Sequence, residues 1–273
     1  MTLRILILAG FVLLLAGCAL PGQGLETQNL FADEAARERA LKIADVSVKS
    51  GNYLSAIEIY QKLLSKNKFD EDVLYALGMT YLKAGAPQEA VAVFENMEAA
   101  AQEDIRPLLG LGRANLYLYR PEAAAIYFSK ARELKPENIE ILSGLAIAED
   151  MAGNHDGARK LYAAALKIAP ENMGIRNNAA LSYLMAGEYE TAVETLSKLA
   201  FTPKSTPQIR QNLAMAYGLA GDEAAAVRIA RLDLDAETAR NNLKFYNLIR
   251  RMKDRDLLRR YLLGPRPGGI GAT

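Results

Sequence analysis

One residue stands out chemically in this 273-residue chain, the single cysteine Cys18. An apolar stretch over residues 5–15 follows one positive charge at Arg4, and Ala16 and Gly17 then lead into the cysteine. The stretch is too short to cross a bilayer as a helix, which takes about 20 residues, but it has the length of the apolar part of a secretory signal peptide. A thiol placed directly after small residues can be exposed by a peptidase and form a thioether to diacylglycerol.

This segment resembles the lipobox of bacterial lipoproteins. The resemblance implies that residues 1–17 are a signal peptide and that Cys18 carries the lipid. It also implies that the protein is membrane-anchored, since each methylene of an acyl chain buried in the membrane contributes about 0.8 kcal/mol to binding. Lipoproteins of this kind reserve aspartate after the cysteine for retention in the inner membrane. Ala19 stands there instead, so the resemblance implies the periplasmic face of the outer membrane. With its only thiol acylated, the chain forms no disulfide.

The other residues capable of chemistry do not form a catalytic pattern. The only histidine, His155, falls in a predicted turn and is expected to be solvated, with no second histidine or free cysteine to complete a metal site. Glu149 and Asp150 are adjacent on a predicted helix, so their side chains point in different directions. The sequence also lacks phosphate-loop, nucleophile-elbow and HExxH motifs. We therefore expect no enzyme and no cofactor, and an enzyme or carrier with an unrecognised site stays open as an alternative.

The overall charge predicts protein partners instead of nucleic acid. The chain has 33 Lys and Arg against 32 Asp and Glu, and removing Arg4 with the signal peptide makes the two equal. A neutral protein is not attracted to nucleic acid by its overall field. Recognition must then depend on local shape.

Three sets of small residues recur with a period of 34 residues. The first is followed four residues later by a large apolar residue in all but its last member, and it consists of Ala56, Ala90, Ala124, Ala158, Ala192 and Ala226. The second lies twelve residues upstream and consists of Ala44, Gly78, Gly112, Ala146, Ala180 and Ala214. The third consists of Gly51, Gly85, Gly153, Gly187 and Gly221, with Tyr119 occupying the one register position that has no glycine.

These rows resemble the tetratricopeptide repeat, which pairs two antiparallel helices in 34 residues. The repeats begin near Arg37, Glu71, Ile105, Ile139, Met173 and Pro207. The resemblance implies an all-α, right-handed solenoid of about six helix-turn-helix repeats with a C-terminal capping helix. Small residues let the helices approach closely, and glycine ends the first helix of each pair. The expected divisions are a tether at 18–32, the solenoid at 33–234, capping helices at 235–263 and a disordered tail at 264–273.

The concave face of such a solenoid predicts a partner-binding groove. It is lined by positions two, five, nine and twelve or thirteen of each first helix. In this register those residues are Tyr75, Met79, Leu82, Leu109, Arg113, Leu116, Ile147, Met151, Asn177, Leu181, Leu184, Met185, Gln211 and Met215. The set is apolar and rich in methionine, which suits an amphipathic helix or an extended apolar segment. The alternative at each position is that the side chain turns into the core.

A second candidate surface is basic and lies near the C-terminus. It comprises Arg250, Arg251, Lys253, Arg255, Arg259 and Arg260. Such a surface would contact an acidic partner or lipid headgroups, and the alternative is a solvated helix face.

The whole arrangement is similar to the TadD-type lipoproteins of the tight-adherence (Tad, or Flp) pilus machinery. The resemblance is carried by the segments at 211–221 and 230–234, by Asn241-Asn242-Leu243, and by Tyr246. It implies a non-enzymatic, pilotin-like lipoprotein that helps the pilus secretin reach or assemble in the outer membrane. A repeat lipoprotein that serves type IVa pilus biogenesis, barrel assembly or recruitment of cell-wall hydrolases is the alternative.

Overall fold

The protein is built from helices joined by short turns. The computed structural model describes residues 23–100, 104–252 and 255–263, and no strand occurs among them. The expected signal peptide, Cys18 and the expected tail at 264–273 lie outside the described residues. The helices are α1 (Gln23–Lys49), α2 (Tyr53–Lys66), α3 (Glu71–Lys83), α4 (Pro87–Ala100), α5 (Ile105–Tyr117), α6 (Pro121–Leu134), α7 (Ile139–Ala152), α8 (His155–Ile168), α9 (Met173–Ala186), α10 (Tyr189–Ala200), α11 (Pro207–Ala220), α12 (Glu223–Ala230), α13 (Ala236–Met252) and α14 (Arg255–Leu263).

The first helix begins earlier than expected. Residues 18–32 were predicted to be an irregular tether, yet α1 starts at Gln23. The start of α1 is rich in Leu, Glu and Gln, which favour a helix once the following turns have formed. Among the described residues, no helix is both long and apolar enough to cross a membrane.

Close helix contacts explain the small residues of the repeat. Phe94 of α4 is completely buried, and its ring lies against Gly78 of α3 and Gly110 of α5. A methyl group added to Gly78 would lie 2.5 Å from Phe94 Cζ, and one added to Gly110 would lie 2.6 Å from Phe94 Cδ1. Both distances are far inside van der Waals contact, so glycine is required for the contact within this repeat, at Gly78, and for the contact with the next repeat, at Gly110. Ala124, predicted to lie at the closest approach in the third repeat, is likewise fully buried.

The turns between paired helices also follow the predicted register. The five register glycines have φ between 75° and 97°, a left-handed conformation that glycine adopts without steric cost. Tyr119 takes the same conformation, with φ 55°, although it carries a side chain. It is the only residue other than glycine with positive φ in the part of the chain described. A bulky residue in this conformation is strained and points to a local role.

Helix contacts define the inner side of the solenoid. The first helices of successive repeats, α3, α5, α7, α9, α11 and α13, each contact the next one directly. Within the described ranges, the second helices of successive repeats show no comparable contacts with one another. The stack is therefore curved, with the first helices on its concave side.

The two C-terminal helices behave differently from each other. α13 packs on α11 and α12 and continues the stack, as a cap should. α14 turns back and packs on α7 and α9. Because α7 and α9 are both first helices, α14 lies on the concave side.

Candidate partner-binding groove

The predicted groove residues divide into two groups. Six are partly exposed: Tyr75, Met79, Arg113, Leu116, Met151 and Gln211. Eight are buried, and for these the prediction of an exposed binding surface is wrong: Leu82, Leu109, Ile147, Asn177, Leu181, Leu184, Met185 and Met215. Leu82 and Leu109 belong to the apolar clusters between neighbouring repeats, because the helices stack tightly enough to enclose them.

The N-terminal part of the groove is open. We call Tyr75, Met79, Arg113 and Leu116, on α3 and α5, the open groove. Arg113 Nη2 lies 2.5 Å from Glu140 Oε1, and Arg113 Nη1 donates a 3.5 Å hydrogen bond to the sulfur of Met79. Partial burial raises the pKa of Tyr75, which keeps its phenol neutral. The open groove therefore presents apolar side chains around a guanidinium that is already paired.

Charges at the edge of the open groove are also paired. The Arg106 guanidinium contacts Asp72 at 2.7 Å, Glu71 at 3.1 Å and Asp104 at 2.6 Å. It also lies 5.8 Å from the centre of the Tyr75 ring. The guanidinium therefore lies against one side of the Tyr75 ring while its own charge is balanced by three carboxylates.

The C-terminal part of the groove is occupied. We call the surface of α7 and α9 under α14 the filled groove. Leu258, Leu262 and Leu263 of α14 are buried and form one apolar cluster with the first-helix residues that were predicted to be exposed. Those residues are Ile147, Leu181, Leu184, Met185 and Met215. The first four lie on α7 and α9, the helices that α14 contacts. A sequence pattern cannot show this, because it does not say which segment will cover a given face.

Three further contacts hold α14. Arg259 Nη1 lies only 2.5 Å from where a Cβ on Gly153 would be, at the C-terminal end of α7. A cation is favoured there by the partial negative charge of the helix end. The ring centres of Tyr261 and Phe245 are 4.5 Å apart. The Tyr119 hydroxyl donates a long hydrogen bond, 3.5 Å, to the carbonyl oxygen of Arg260.

The predicted basic surface is divided by this arrangement. Arg250 lies at the C-terminal end of α11 beside Gly221 and pairs with Glu223 at 3.6 Å. Arg259 lies at the end of α7. Arg251 and Arg260 are exposed. Lys253 and the side chain of Arg255 lie outside the described residues. The other four cations do not form one continuous surface.

His155 has a structural role, and the expectation of a solvated turn residue is wrong. Its Nδ1 lies 2.8 Å from Asp150 Oδ1, which also accepts a 2.7 Å hydrogen bond from Ser182. Asp150 is completely buried, and this burial raises its pKa despite the hydrogen bonds from His155 and Ser182. The network links α7, α8 and α9. In the sequence, this network is indicated by a charged residue at a register position where the other repeats have Val48, Leu82, Leu116, Leu184 and Gly218.

Two polar residues predicted for the groove form structural hydrogen bonds instead. Asn177 Oδ1 accepts a 2.9 Å hydrogen bond from Asn212 Nδ2, joining α9 to α11. Gln211 Nε2 donates a 3.3 Å hydrogen bond to the carbonyl of Ala230 at the end of α12. Buried amides must find such partners. In the described ranges, no group of three or more His, Cys, Asp or Glu could hold a metal ion.

Comparison with known families identifies the repeats. A model of the tetratricopeptide repeat matches residues 47–114 and 150–216, and a second model of the same repeat matches residues 109–172. Together these matches run without a gap from residue 47 to residue 216. The chain belongs to the tetratricopeptide-repeat family. No curated protein sequence matches it significantly.

Solved structures show the same fold. A tetratricopeptide-repeat protein from Parabacteroides merdae superimposes with a TM-score of 0.67 at 17% identity, covering 77% of this chain and 84% of its own. The thermophilic repeat protein TTC0263 from Thermus thermophilus gives 0.59 at 22% identity, covering 66% and 98%. The MamA protein gives 0.50 at 22% identity, covering 62% and 97%. At these identities the likeness concerns the fold alone. Tetratricopeptide repeats form scaffolds for protein interactions, and that is the class of protein these findings define.

Proposed function

We propose that this protein is a lipid-anchored scaffold of the outer membrane whose concave groove binds a partner protein. The proposed partner is the secretin of the Tad pilus, and the proposed role is pilotin-like, helping that secretin to assemble or reach the outer membrane. The support for protein binding is the groove itself, which accommodates an amphipathic helix in the form of α14. The support for the secretin is the sequence resemblance to TadD-type lipoproteins. The scaffold carries out no reaction.

Anchoring is the first part of the proposal. Acyl chains on Cys18 would tether the protein at the periplasmic face of the outer membrane. One chain alone binds a membrane only marginally, so stable anchoring requires more than one. Tethering one partner to a surface raises the local concentration of the other. A pilotin-like role requires no more than this.

Anchoring is tested with two substitutions at the same site. The Cys18→Ser variant should lose incorporation of a clickable fatty acid and leave the membrane fraction. Ala19→Asp should keep the label but shift to the inner membrane. Label retained on Cys18→Ser would overturn the lipid attachment.

Partner binding is tested by adding a charge to each side of the solenoid. Met151→Glu and Leu116→Glu place a carboxylate on partly exposed groove positions, where an apolar ligand would leave it unpaired. Co-purification of the secretin should fall at least tenfold. Ile126→Glu is the matched control, since Ile126 is 59% exposed on the second helix α6, and it should bind as wild type. If both groove variants keep their fold and their binding, the groove is not the secretin site.

A further inference from the structure

We propose that the filled groove is a docking site for an amphipathic partner helix, and that α14 is an internal occupant which such a helix displaces. The partner helix would carry leucines at the spacing of Leu258, Leu262 and Leu263, with a cation at the position of Arg259. This deepens the proposed function and rests on the groove being a protein-binding surface. It differs from that function in naming the ligand's chemistry and the element that competes with it.

The position of α14 is the first reason. In the six preceding pairs, the second helix packs on its own first helix and on the first helix that follows. α14 follows the first-type helix α13 but leaves the stack for α7 and α9. Its main helix contacts are with α7, α9 and α13, which are all first-type helices, and a ligand in the groove would contact α7 and α9 in the same way.

The length and pattern of α14 are the second reason. It has nine residues, and isolated helices shorter than about 12 residues are marginal in water. Its helical state therefore depends on the groove. Its contacts with α7 and α9 include three buried leucines and one guanidinium at the end of α7, and Tyr261 adds a ring contact with Phe245 of α13. A separate helix with the same pattern can make the same leucine and guanidinium contacts with α7 and α9.

Tyr119 is the third reason. The other described turns of this kind use glycine, whereas this turn holds a tyrosine at φ 55°. Within the described part of the chain, its hydroxyl donates a hydrogen bond to the carbonyl of Arg260 in α14. Glycine would avoid this strain, so a tyrosine at this position suggests that its contact with α14 has a function. The neighbouring turn on α7 contributes Gly153, against which Arg259 lies, so two successive turns receive α14.

The test measures whether the filled groove binds a separate peptide that has the sequence of α14. The probe is a fluorescent peptide covering residues 252–264, and the protein is the full chain. Leu258→Glu/Leu262→Glu should release α14 and bind the peptide at least tenfold more tightly than wild type, because the internal competitor has been removed. Arg260→Ala changes an exposed side chain of the same helix and should bind as wild type. A peptide carrying both glutamates should not bind.

Two further measurements keep the test informative if the released variant is unstable. Tyr119→Gly removes the contact and relieves the strained turn, so it should tighten peptide binding about threefold without lowering the melting temperature. Tyr261→Trp provides a single reporter, because the chain has no tryptophan. Its emission should shift to longer wavelength when excess peptide displaces α14.

Each remaining outcome would overturn the proposal. Equal peptide affinity for wild type and both release variants would mean that α14 does not compete for the site, and no binding to any variant would mean that the filled groove is simply core. A doubled mass in light scattering on release of α14 would identify a second copy of the chain as the occupant. Binding of the released variant to phosphatidylglycerol vesicles, without peptide binding, would make α14 a membrane segment. None of these results involves the secretin, so failure here and failure of the proposed function are distinguishable.

Discussion

The two halves of the groove use the same repeat and differ in what covers them. Leu116 and Leu184 occupy the same register position, yet Leu116 is partly exposed and Leu184 is completely buried. Gly85 and Gly153 also correspond, and a Cβ on Gly85 would meet open space whereas one on Gly153 would meet Arg259. A repeat motif therefore does not fix the exposure of its own concave positions. Packing between neighbouring repeats already buries Leu82 at the same position, whereas the region of Leu184 is also covered by α14.

The largest expected effect compares Leu184→Ala with Leu116→Ala. Truncating the buried Leu184 should lower the free energy of unfolding by about 2–5 kcal/mol. Leu116→Ala should cost less than half as much, because part of that side chain is already in water. Urea titration followed by circular dichroism measures both. Equal losses would contradict the difference between the open and filled grooves.

The next effect concerns the buried network beneath the filled groove. Asp150→Ala leaves His155 and Ser182 without their partner, and each unsatisfied group should cost about 1–3 kcal/mol. Asp150→Asn should cost less, since the amide oxygen still accepts a hydrogen bond and carries no charge to bury. The same titration applies. Loss of as much stability in Asp150→Asn as in Asp150→Ala would show that the charge, and not the hydrogen bonds, holds the three helices.

Matched glycine substitutions separate turn strain from docking of α14. Gly85→Ala and Gly153→Ala should each cost about 1 kcal/mol, because both residues are left-handed. Only Gly153→Ala should also displace the Arg259 guanidinium and shift the emission of a Tyr261→Trp reporter. An unchanged emission would show that Arg259 does not depend on the end of α7.

The smallest effect is a pH dependence at the C-terminal end. Arg210 holds the pKa of Asp233 below its ordinary value of 3.8 through its hydrogen bonds. Above pH 3.8 the ionised carboxylate of Asp233 therefore stabilises the folded protein. This stabilisation is lost as the pH falls through the lowered pKa of Asp233. Asp233→Asn should accordingly melt at a lower temperature than wild type at about pH 7 but not at about pH 2.

Exposed ion pairs provide the control for this measurement. Asp45 pairs with Lys49 on the surface of α1, and such pairs contribute little. Asp45→Asn should therefore melt as wild type at both pH values. A constant difference between Asp233→Asn and wild type at all pH values would contradict the assignment to this carboxylate.

Much of the solenoid could be predicted from the sequence, because its requirements are local. The buried Ala124 and the left-handed Gly153 follow from helix contact and turn geometry within one repeat. The contacts of Asp150 with Ser182 and of Asn177 with Asn212 could not be predicted, since each partner comes from the neighbouring repeat. Capping helices were predicted at 235–263, and within that range α13 packs on α11 and α12 whereas α14 packs on α7 and α9.

The sequence by itself determined the period, the helix pairs and the turns, since small residues at contacts and glycine at turns act over a few residues. It also determined that α14 has an apolar face. Only the tertiary structure decided where that face is buried, because an amphipathic pattern specifies that one side must leave water and not which surface receives it. Placing Leu258, Leu262 and Leu263 against α7 and α9 divided one predicted groove into an open half and a filled half.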